Sequence, residues 1–240
     1  MNLNNLILKH TGETIYVIGS GPSLRFFPGN FLESQITIGL NLAYKSLKFK
    51  PTYNLTIHPE LIDKTTCFEY TWITKKKDWL AKPKEKHIRH IYFFQNQKEI
   101  NDMSYVFLAR QRAREGYVYV GRGIHTAGAI LAAVMGARTC VLAGVDLGAI
   151  GDDHHATGQS VRFHGMPPEG VYREYYFNLR RIRSILRVNY GMSILTLSPF
   201  LGLHHVEEEY NFLQSELGYP KLPKPTDTSA YKRDSFDFTS

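Results

Sequence analysis

Five consecutive residues have the chemistry of an anion-binding turn: Gly19, Ser20, Gly21, Pro22 and Ser23. Because glycine has no Cβ, the main-chain N–H groups of such a turn can face a phosphate. The turn follows the apolar run at residues 15–18, which is typical of a buried strand. It differs from the dinucleotide-binding fingerprint, in which two variable positions and a third glycine follow G-x-G. The turn therefore predicts a phosphate site of another type at the carboxyl end of the first strand.

Polar residues also follow three other apolar runs. Asn41 follows QITIGL, His58 follows YNLTI, and Asp146 follows TCVLA in the sequence GVD. Residues just past parallel strands line one crevice, so we expect these side chains to face the same ligand. An amide suits a base or ribose edge because it both donates and accepts hydrogen bonds. The alternatives are an ordinary turn residue for Asn41 and a capping or core residue for His58.

A second candidate anion site lies in the sequence GRGIHTAG at residues 121–128, where a helix of small residues begins. Its N–H groups and positive dipole end, with an arginine beside them, would attract a phosphate. We expect His125 or Thr126 near the N-cap, and a simple cap without a ligand is the alternative. The candidate ligand-binding residues of this segment are Arg122, His125, Thr126, Ala127 and Gly128.

The loop GDDHHATG at residues 151–158 concentrates titratable groups, and Arg162, His164 and Tyr172 follow it. Carboxylates and imidazoles at this density could bind a divalent metal, or supply acid–base catalysis and phosphate contacts. The spacing matches no closed zinc site, so no metal ligand is predicted. The chain also contains no P-loop, no G-x-S-x-G elbow and no cysteine-rich zinc pattern, which disfavours kinases, hydrolases and zinc fingers.

Short β-rich runs alternate with helical runs along most of the chain. Strands are predicted near residues 14–18, 35–41, 52–57, 90–95, 117–120, 139–143 and 193–197. Helices are predicted near residues 126–137, with Gly136 at the C-cap, and 172–190. The alternation predicts a Rossmann-like α/β fold with a doubly wound, mostly parallel sheet and helices on both faces. We expect one domain at residues 1–218, a lid insertion outside the core sheet at 62–90, and an extended or disordered tail at 219–240.

Composition limits the class of protein and its partners. The 240 residues are 43% hydrophobic and 21% charged, as in ordinary soluble domains. No apolar run is long enough to span a membrane and no signal peptide is indicated, so a cytoplasmic location is expected. The only cysteines are Cys67 and Cys140, which argues against a disulfide framework. A net charge of +7 favours an anionic partner: a nucleotide, a nucleic acid or a membrane surface.

The order of these motifs is familiar. GSGPSL, GLN, TIHP, GIHTAGAILAAVMGARTCVLAGVDLG and DDHHATG together resemble the bacterial sialyltransferases that use CMP-sialic acid. They are similar also to the motility-associated-factor flagellin glycosyltransferases and to archaeal 6-hydroxymethylpterin diphosphokinase-like proteins. The resemblance covers about residues 14–200 and implies a variant of the GT-A-like fold. By position, it implies that the nucleotide-sugar site includes Gly19, Ser20, Gly21, Asn41, Thr126, Ala127, Gly128 and Asp146.

The chain departs from the sialyltransferases at two places. His58 stands where they have an asparagine before proline, and His154 and His155 occupy the region of their phosphate-contacting tyrosines. The DDHHATG loop is closer to the flagellin transferases. The family's catalytic histidine is matched best by His164, with His155 as the second candidate.

The resemblance implies an inverting glycosyltransferase that needs no metal or cofactor and uses a CMP- or UDP-linked donor. His164 or His155 would deprotonate the acceptor hydroxyl, and Arg122, His154 and the helix N-terminus would stabilise the leaving phosphate. The acceptor is left open among a glycan, a protein and a hydroxymethylated base in DNA, and a homo-oligomer is left open too. The remaining alternatives are a metal-dependent pterin diphosphokinase and a nucleotide-binding module without activity.

Overall fold

A computed structural model defines the fold. It describes residues 3–26, 31–62, 70–75, 91–96, 103–121, 123–147, 149–150, 168–197 and 231–232. The predicted site residues Arg122, His154, His155 and His164 lie outside these ranges, as does Cys67.

One eight-stranded sheet organises the described chain. Its strands lie in the order β6-β5-β4-β3-β2-β1-β7-β9, and every neighbouring pair is parallel. The strands are β1 (Thr14–Ile18), β2 (Ile36–Leu40), β3 (Tyr53–Thr56), β4 (Trp72–Lys75), β5 (Ile91–Asn96), β6 (Tyr117–Val118), β7 (Thr139–Ala143) and β9 (Ser193–Thr196). The chain starts at β1, runs outward to β6, and returns to the other side of β1 with β7. The doubly wound parallel fold is therefore confirmed.

The central strands are apolar because helices and loops cover both of their faces. All of β7 and the last four residues of β1 are buried. Parallel sheets covered on both sides read as continuous apolar runs rather than alternating ones. This is why β1, β2 and β7 could be predicted from the sequence.

Residues 62–90 were predicted to lie outside the core sheet, but part of this stretch belongs to the sheet. Trp72–Lys75 forms β4, which pairs with β3 on one side and β5 on the other. Trp72 is 1% exposed, and its ring packs edge-on against Tyr44 and Tyr70 at centroid distances of 5.3 and 6.2 Å. Burial of the Trp72 indole against the sheet stabilises this strand, whose lysine-rich flanks gave no strand pattern in the sequence. The lid prediction is therefore wrong for β4. Most of the lysines around this strand lie outside the described residues.

Within the described ranges, five helices pack on the sheet. They are α1 (Ala43–Ser46), α2 (Ser104–Phe107), α3 (Ala109–Arg114), α4 (Ile124–Val134) and α5 (Pro168–Tyr190). On one face, α2 to α5 and the N-terminal 3₁₀ turn Leu3–Leu6 enclose the larger core. On the other face, α1 and the segments around Leu24 and Leu32 cover a smaller core. Helices therefore lie on both faces, as predicted.

The two predicted helices have the expected packing. Every residue of α4 from His125 to Val134 is buried, because its small side chains allow close contact with the sheet. Met135 is the C-cap, and Gly136 follows it with φ +89°. Helix α5 buries Tyr176, Leu179, Ile182 and Leu186, which recur at helical spacing.

A second, two-stranded sheet involves the end of the chain. Tyr231–Lys232 (β10) pairs antiparallel with Ala149–Ile150 (β8). Within the tail predicted at residues 219–240, these two described residues are extended and paired to a strand that follows β7.

Candidate functional site

The strand order reverses between β1 and β7, which makes the carboxyl ends of these strands the switch point of the sheet. Ligands of doubly wound proteins bind in the crevice outside such a point. The glycine-rich turn follows β1, and Gly144 to Asp146 follow β7. The two predicted loops are therefore neighbours.

Main-chain hydrogen bonds join the two loops. The N–H of Gly19 donates to the Ala143 carbonyl over 2.8 Å, and the N–H of Gly21 donates to the Gly144 carbonyl over 2.7 Å. A Cβ on Gly19 would collide with the Gly144 carbonyl, and one on Gly144 would lie 2.8 Å from the Gly19 oxygen. Both positions need glycine because the two main chains touch.

The Asp146 carboxylate fixes the next part of the turn. Its Oδ2 accepts the main-chain N–H of Ser23 over 2.6 Å, and its Oδ1 accepts the Ser23 hydroxyl over 2.5 Å. Asp146 is 4% exposed and Ser23 is fully buried, so the pair is shielded from water. A Cβ on Gly21 would lie 2.6 Å from Oδ2. We refer to this two-bond contact as the Asp146–Ser23 latch.

These contacts change the interpretation of the glycine turn. The N–H groups of Gly19, Gly21 and Ser23 donate to the last residue of β7 and to the loop after it, so these three groups do not face an anion as predicted. The physical reason is that the glycines permit close approach of two strand ends, which uses the amides internally. Pro22 begins a 3₁₀ turn that continues to Phe26.

Asn41 and Thr56 form a second polar pair at the same edge. Asn41 adopts the left-handed conformation, with φ +49°. The Thr56 hydroxyl donates to Asn41 Oδ1 over 3.0 Å and accepts the N–H of His58 over 3.0 Å. Among the described residues, no group pairs with the amide nitrogen of Asn41. Thr56 thus holds the Asn41 oxygen and leaves a donor available.

His58 lies at the rim of this edge. Its side chain is 51% exposed, and Nδ1 lies 3.1 Å from Glu60 Oε1. The side chain follows β3, where the sequence predicted it, and it faces solvent rather than the core.

Helix α4 approaches the crevice through its first turns. A Cβ on Gly128 would lie 2.7 Å from Val17 Cγ1 and 3.1 Å from Leu40 Cδ2. These two residues stand just before the glycine turn and Asn41, so the start of α4 lies over the ends of β1 and β2. Ala127 is buried in this contact.

The helix start differs in detail from the prediction. The N-cap is Gly123, not His125 or Thr126, and no side chain caps it. Thr126 is fully buried, and its hydroxyl lies against the carbonyls of Val120 and Gly123. Because the hydroxyl is directed to these carbonyls, Thr126 holds the loop before α4 in place.

His125 is a buried neutral imidazole. It is 5% exposed, and its ring lies 5.4 Å from that of Tyr175 on α5. Burial lowers the pKa of His125 to about 4, and a hydrogen bond with the Tyr175 main chain opposes that shift. In the described part of the chain, Nε2 has no hydrogen-bond partner.

The structure thus brings together most of the described site residues that the sequence predicted. Sequence reasoning missed Thr56, which connects the loops after β2 and β3. Its signal was a polar residue at the last position of a buried strand.

The described ranges contain few other groups that could bind a ligand or react. No three His, Cys, Asp or Glu side chains there come close enough together to hold a metal ion. Cys140 is a free thiol in β7, and burial raises its pKa. None of the helices in these ranges has the length and apolar character needed to cross a bilayer.

The fold and site define the chain as a doubly wound α/β protein with a polar crevice at its switch point. No family model and no curated protein matches the sequence. Among solved structures, it is similar to the sialyltransferase CstII from Campylobacter jejuni in complex with the substrate analogue CMP-3FNeuAc, with 13% identity, a TM-score of 0.44, and coverage of 93% of this chain and 96% of that one. It is similar also to a variant of sialyltransferase Cst-II in complex with CMP, with 13% identity, a TM-score of 0.35, and coverage of 86% and 79%.

Replacing Asp146 by Asn tests the latch. The variant loses the charge on both bonds to Ser23 and directs an amide N–H₂ at one of the two donors. We expect the free energy of unfolding to fall by about 2–3 kcal/mol, as for buried hydrogen bonds to a charged group. Urea unfolding measures this, with Glu33→Gln as an exposed control. A loss no larger than the control's would contradict the latch.

Stability should also depend on pH through His125. Its folded pKa of about 4 lies below the ordinary value of 6.5. As pH falls from 6.5 to about 4, the imidazole binds a proton in the unfolded chain but stays neutral in the folded protein. The free energy of unfolding should therefore drop by about 3 kcal/mol, and the contribution is fully present only above pH 6.5.

Urea unfolding at pH 7.5 and pH 4.5 measures this dependence. His125→Gln should remove that part of it, whereas His58→Gln, at an exposed site, should keep the wild-type dependence. Identical pH profiles for wild type and His125→Gln would show that another group is responsible.

Proposed function

We propose that this chain is a glycosyltransferase that moves a sugar from a nucleotide-sugar donor to a hydroxyl acceptor. The observation that carries the proposal is the convergence at one crevice of loops that are far apart in sequence. The glycine turn, Asn41, the start of α4 and Asp146 meet at the switch point. These are the segments that resemble the sialyltransferases in sequence and order.

The crevice offers recognition by side chains more than by the glycine-turn amides. The Asn41 amide nitrogen can donate to a base carbonyl or a ribose hydroxyl, while Thr56 fixes the side chain from behind. His58 stands at the rim, where it can reach a ligand without a change in the core. A pyrimidine nucleotide such as the CMP or UDP part of a donor has the acceptor groups that Asn41 requires.

In the proposed reaction, a histidine acts as the general base. As His164 or His155 removes the acceptor proton, the acceptor oxygen forms a bond to the anomeric carbon and the bond to the nucleotide phosphate breaks. The electron pair of that bond leaves with the phosphate. Arg122 and His154 would stabilise this charge. These four residues are assigned from the sequence, and no metal is required in this scheme.

The amide of Asn41 provides a direct test of donor binding. Asn41→Asp keeps an oxygen for the Thr56 hydroxyl and tolerates the positive φ, but it replaces the N–H₂ donor by a negative oxygen. We expect at least a tenfold weaker affinity for CMP or UDP, about 1.4 kcal/mol, with little change in the melting temperature of the ligand-free protein.

Thermal shift with CMP, UDP and GDP measures this effect, because a bound ligand raises the melting temperature by mass action. Asn5→Asp, on the N-terminal 3₁₀ turn, makes the same chemical change away from the crevice and should bind as wild type does. No shift of the wild-type protein with any of the three nucleotides would contradict the proposal.

The base assignment is tested by replacing His164 and His155 singly with Ala. Loss of the general base should lower kcat by roughly 10²–10⁴-fold in one of the variants, with nucleotide affinity retained. Glycan, protein and hydroxymethylated DNA acceptors are assayed separately, in buffer with EDTA. Unchanged turnover in both variants would remove the histidines from the mechanism.

A further inference from the structure

Some large apolar side chains are exposed in the folded chain. The described ranges contain five of them, and all but Leu8 lie on α5 or at the end of α2. The most exposed is Val188, at 81%, and Phe177 and Phe107 are 46% and 50% exposed. Isolated exposed apolar residues are common, so their arrangement with the charges around them decides whether they form an interaction surface.

Helical spacing places the α5 members of this group in one line. Phe177 and Val188 are eleven residues apart, close to three full turns, which is about 16 Å along the axis. Ser184 lies on the same line between them. The line is opposite the buried side of the helix, which carries Leu179 and Leu186. It therefore forms a convex ridge.

Hydrogen bonds place the end of α2 beside the last turn of α5. The Tyr190 hydroxyl donates to the Phe107 carbonyl over 2.8 Å and accepts the N–H of Ala109 over 2.8 Å. Tyr190 packs against the core and lies two residues, about 200° around the helix, from Val188. This contact therefore does not join Phe107 and Leu108 to the ridge.

Arginines flank this ridge. Arg180, Arg181 and Arg187 are exposed, and no carboxylate of the described residues forms an ion pair with them. Arg180 lies over the Tyr176 ring, with Cζ 5.9 Å from its centroid. Glu174 is half-buried and stands at one end of the set. The surface therefore carries three positive charges in a chain whose net charge is +7.

We propose that this surface docks the protein on an anionic membrane. The surface, called the α5 face below, consists of Phe177, Arg180, Arg181, Arg187 and Val188. The guanidinium groups bind lipid phosphates, and the apolar side chains enter the headgroup layer. The proposal is independent of the donor crevice and of the reaction assigned to it.

The mixed chemistry of the face favours a bilayer over a nucleic acid. Protein–nucleic acid interfaces are strongly polar and positive. Membrane interfaces pair Arg and Lys with exposed apolar side chains, as the α5 face does with Phe177 and Val188. A straight ridge also suits a flat surface, because all of its side chains meet the plane together. Duplex DNA remains the competing ligand in the test.

Sedimentation of the full chain with vesicles tests the proposal. We expect binding to vesicles of phosphatidylcholine with 30 mol% phosphatidylglycerol, and little binding to pure phosphatidylcholine. Salt should weaken the binding, because surface charges are screened. Arg180→Glu/Arg181→Glu/Arg187→Glu should lower the partition coefficient by at least tenfold, since each basic residue near the surface contributes about fivefold.

A second variant separates the apolar contribution. Phe177→Ser/Val188→Ser should lower the partition coefficient several-fold and make the remaining binding more sensitive to salt. Both side chains are exposed, so the variants should keep the wild-type circular dichroism and melting temperature. Equal binding of this variant and wild type would show that the apolar residues do not enter the lipid.

The matched control reverses three exposed lysines on the opposite face of the sheet: Lys45, Lys48 and Lys50. It changes the net charge by the same amount as the arginine triple and should bind vesicles nearly as wild type does. An equal loss in both triples would reduce the effect to overall charge and overturn the proposal. Tight binding of a 30-base-pair duplex that depends on the arginines, without vesicle binding, would also overturn it.

Discussion

The close approach of two strand ends is the constraint on which the site depends. Gly19 and Gly144 let the ends of β1 and β7 touch, and the Asp146–Ser23 latch holds the following turn. A side chain at either glycine would separate the strand ends at the point where the strand order reverses. The glycine contact and the latch therefore fix the two sides of the crevice relative to each other. The positions of the loops around the crevice depend on these contacts.

This constraint decides which polar groups at the crevice are used in internal hydrogen bonds. Three amides of the glycine turn are already donated to the β7 side, so the turn serves as architecture. At the neighbouring strand ends, Thr56 fixes Asn41 through its side-chain oxygen, and under the proposed function the N–H₂ group of Asn41 would contact the ligand. The buried hydroxyl of Thr56 is fully hydrogen-bonded, because it donates to Asn41 in one loop and accepts from His58 in the other. Two loops are thus held by one buried side chain.

Much of this arrangement could be predicted from the sequence, and the exceptions have physical causes. The strands β1, β2 and β7 are apolar throughout because both faces are covered, and α4 is rich in small residues because it packs on the sheet. Strand β4 was missed because only Trp72 and Ile73 are apolar core residues, while lysines follow directly. The glycine turn was located correctly but given the wrong partner, since glycine serves an anion cradle and a close strand contact equally well. The direction of its amides is a tertiary property.

Helix α5 shows the same limit from the other side. Its periodicity predicts which residues are buried, and Leu179, Ile182 and Leu186 are buried as that pattern requires. The pattern says nothing about whether Phe177 and Val188 are covered by another part of the chain, because an apolar residue off the buried side fits either case. Exposure in the folded chain decides it. On their own, the arginines of α5 fit an ordinary solvated helix side. Beside the exposed Phe177 and Val188 they form a surface of mixed polar and apolar character.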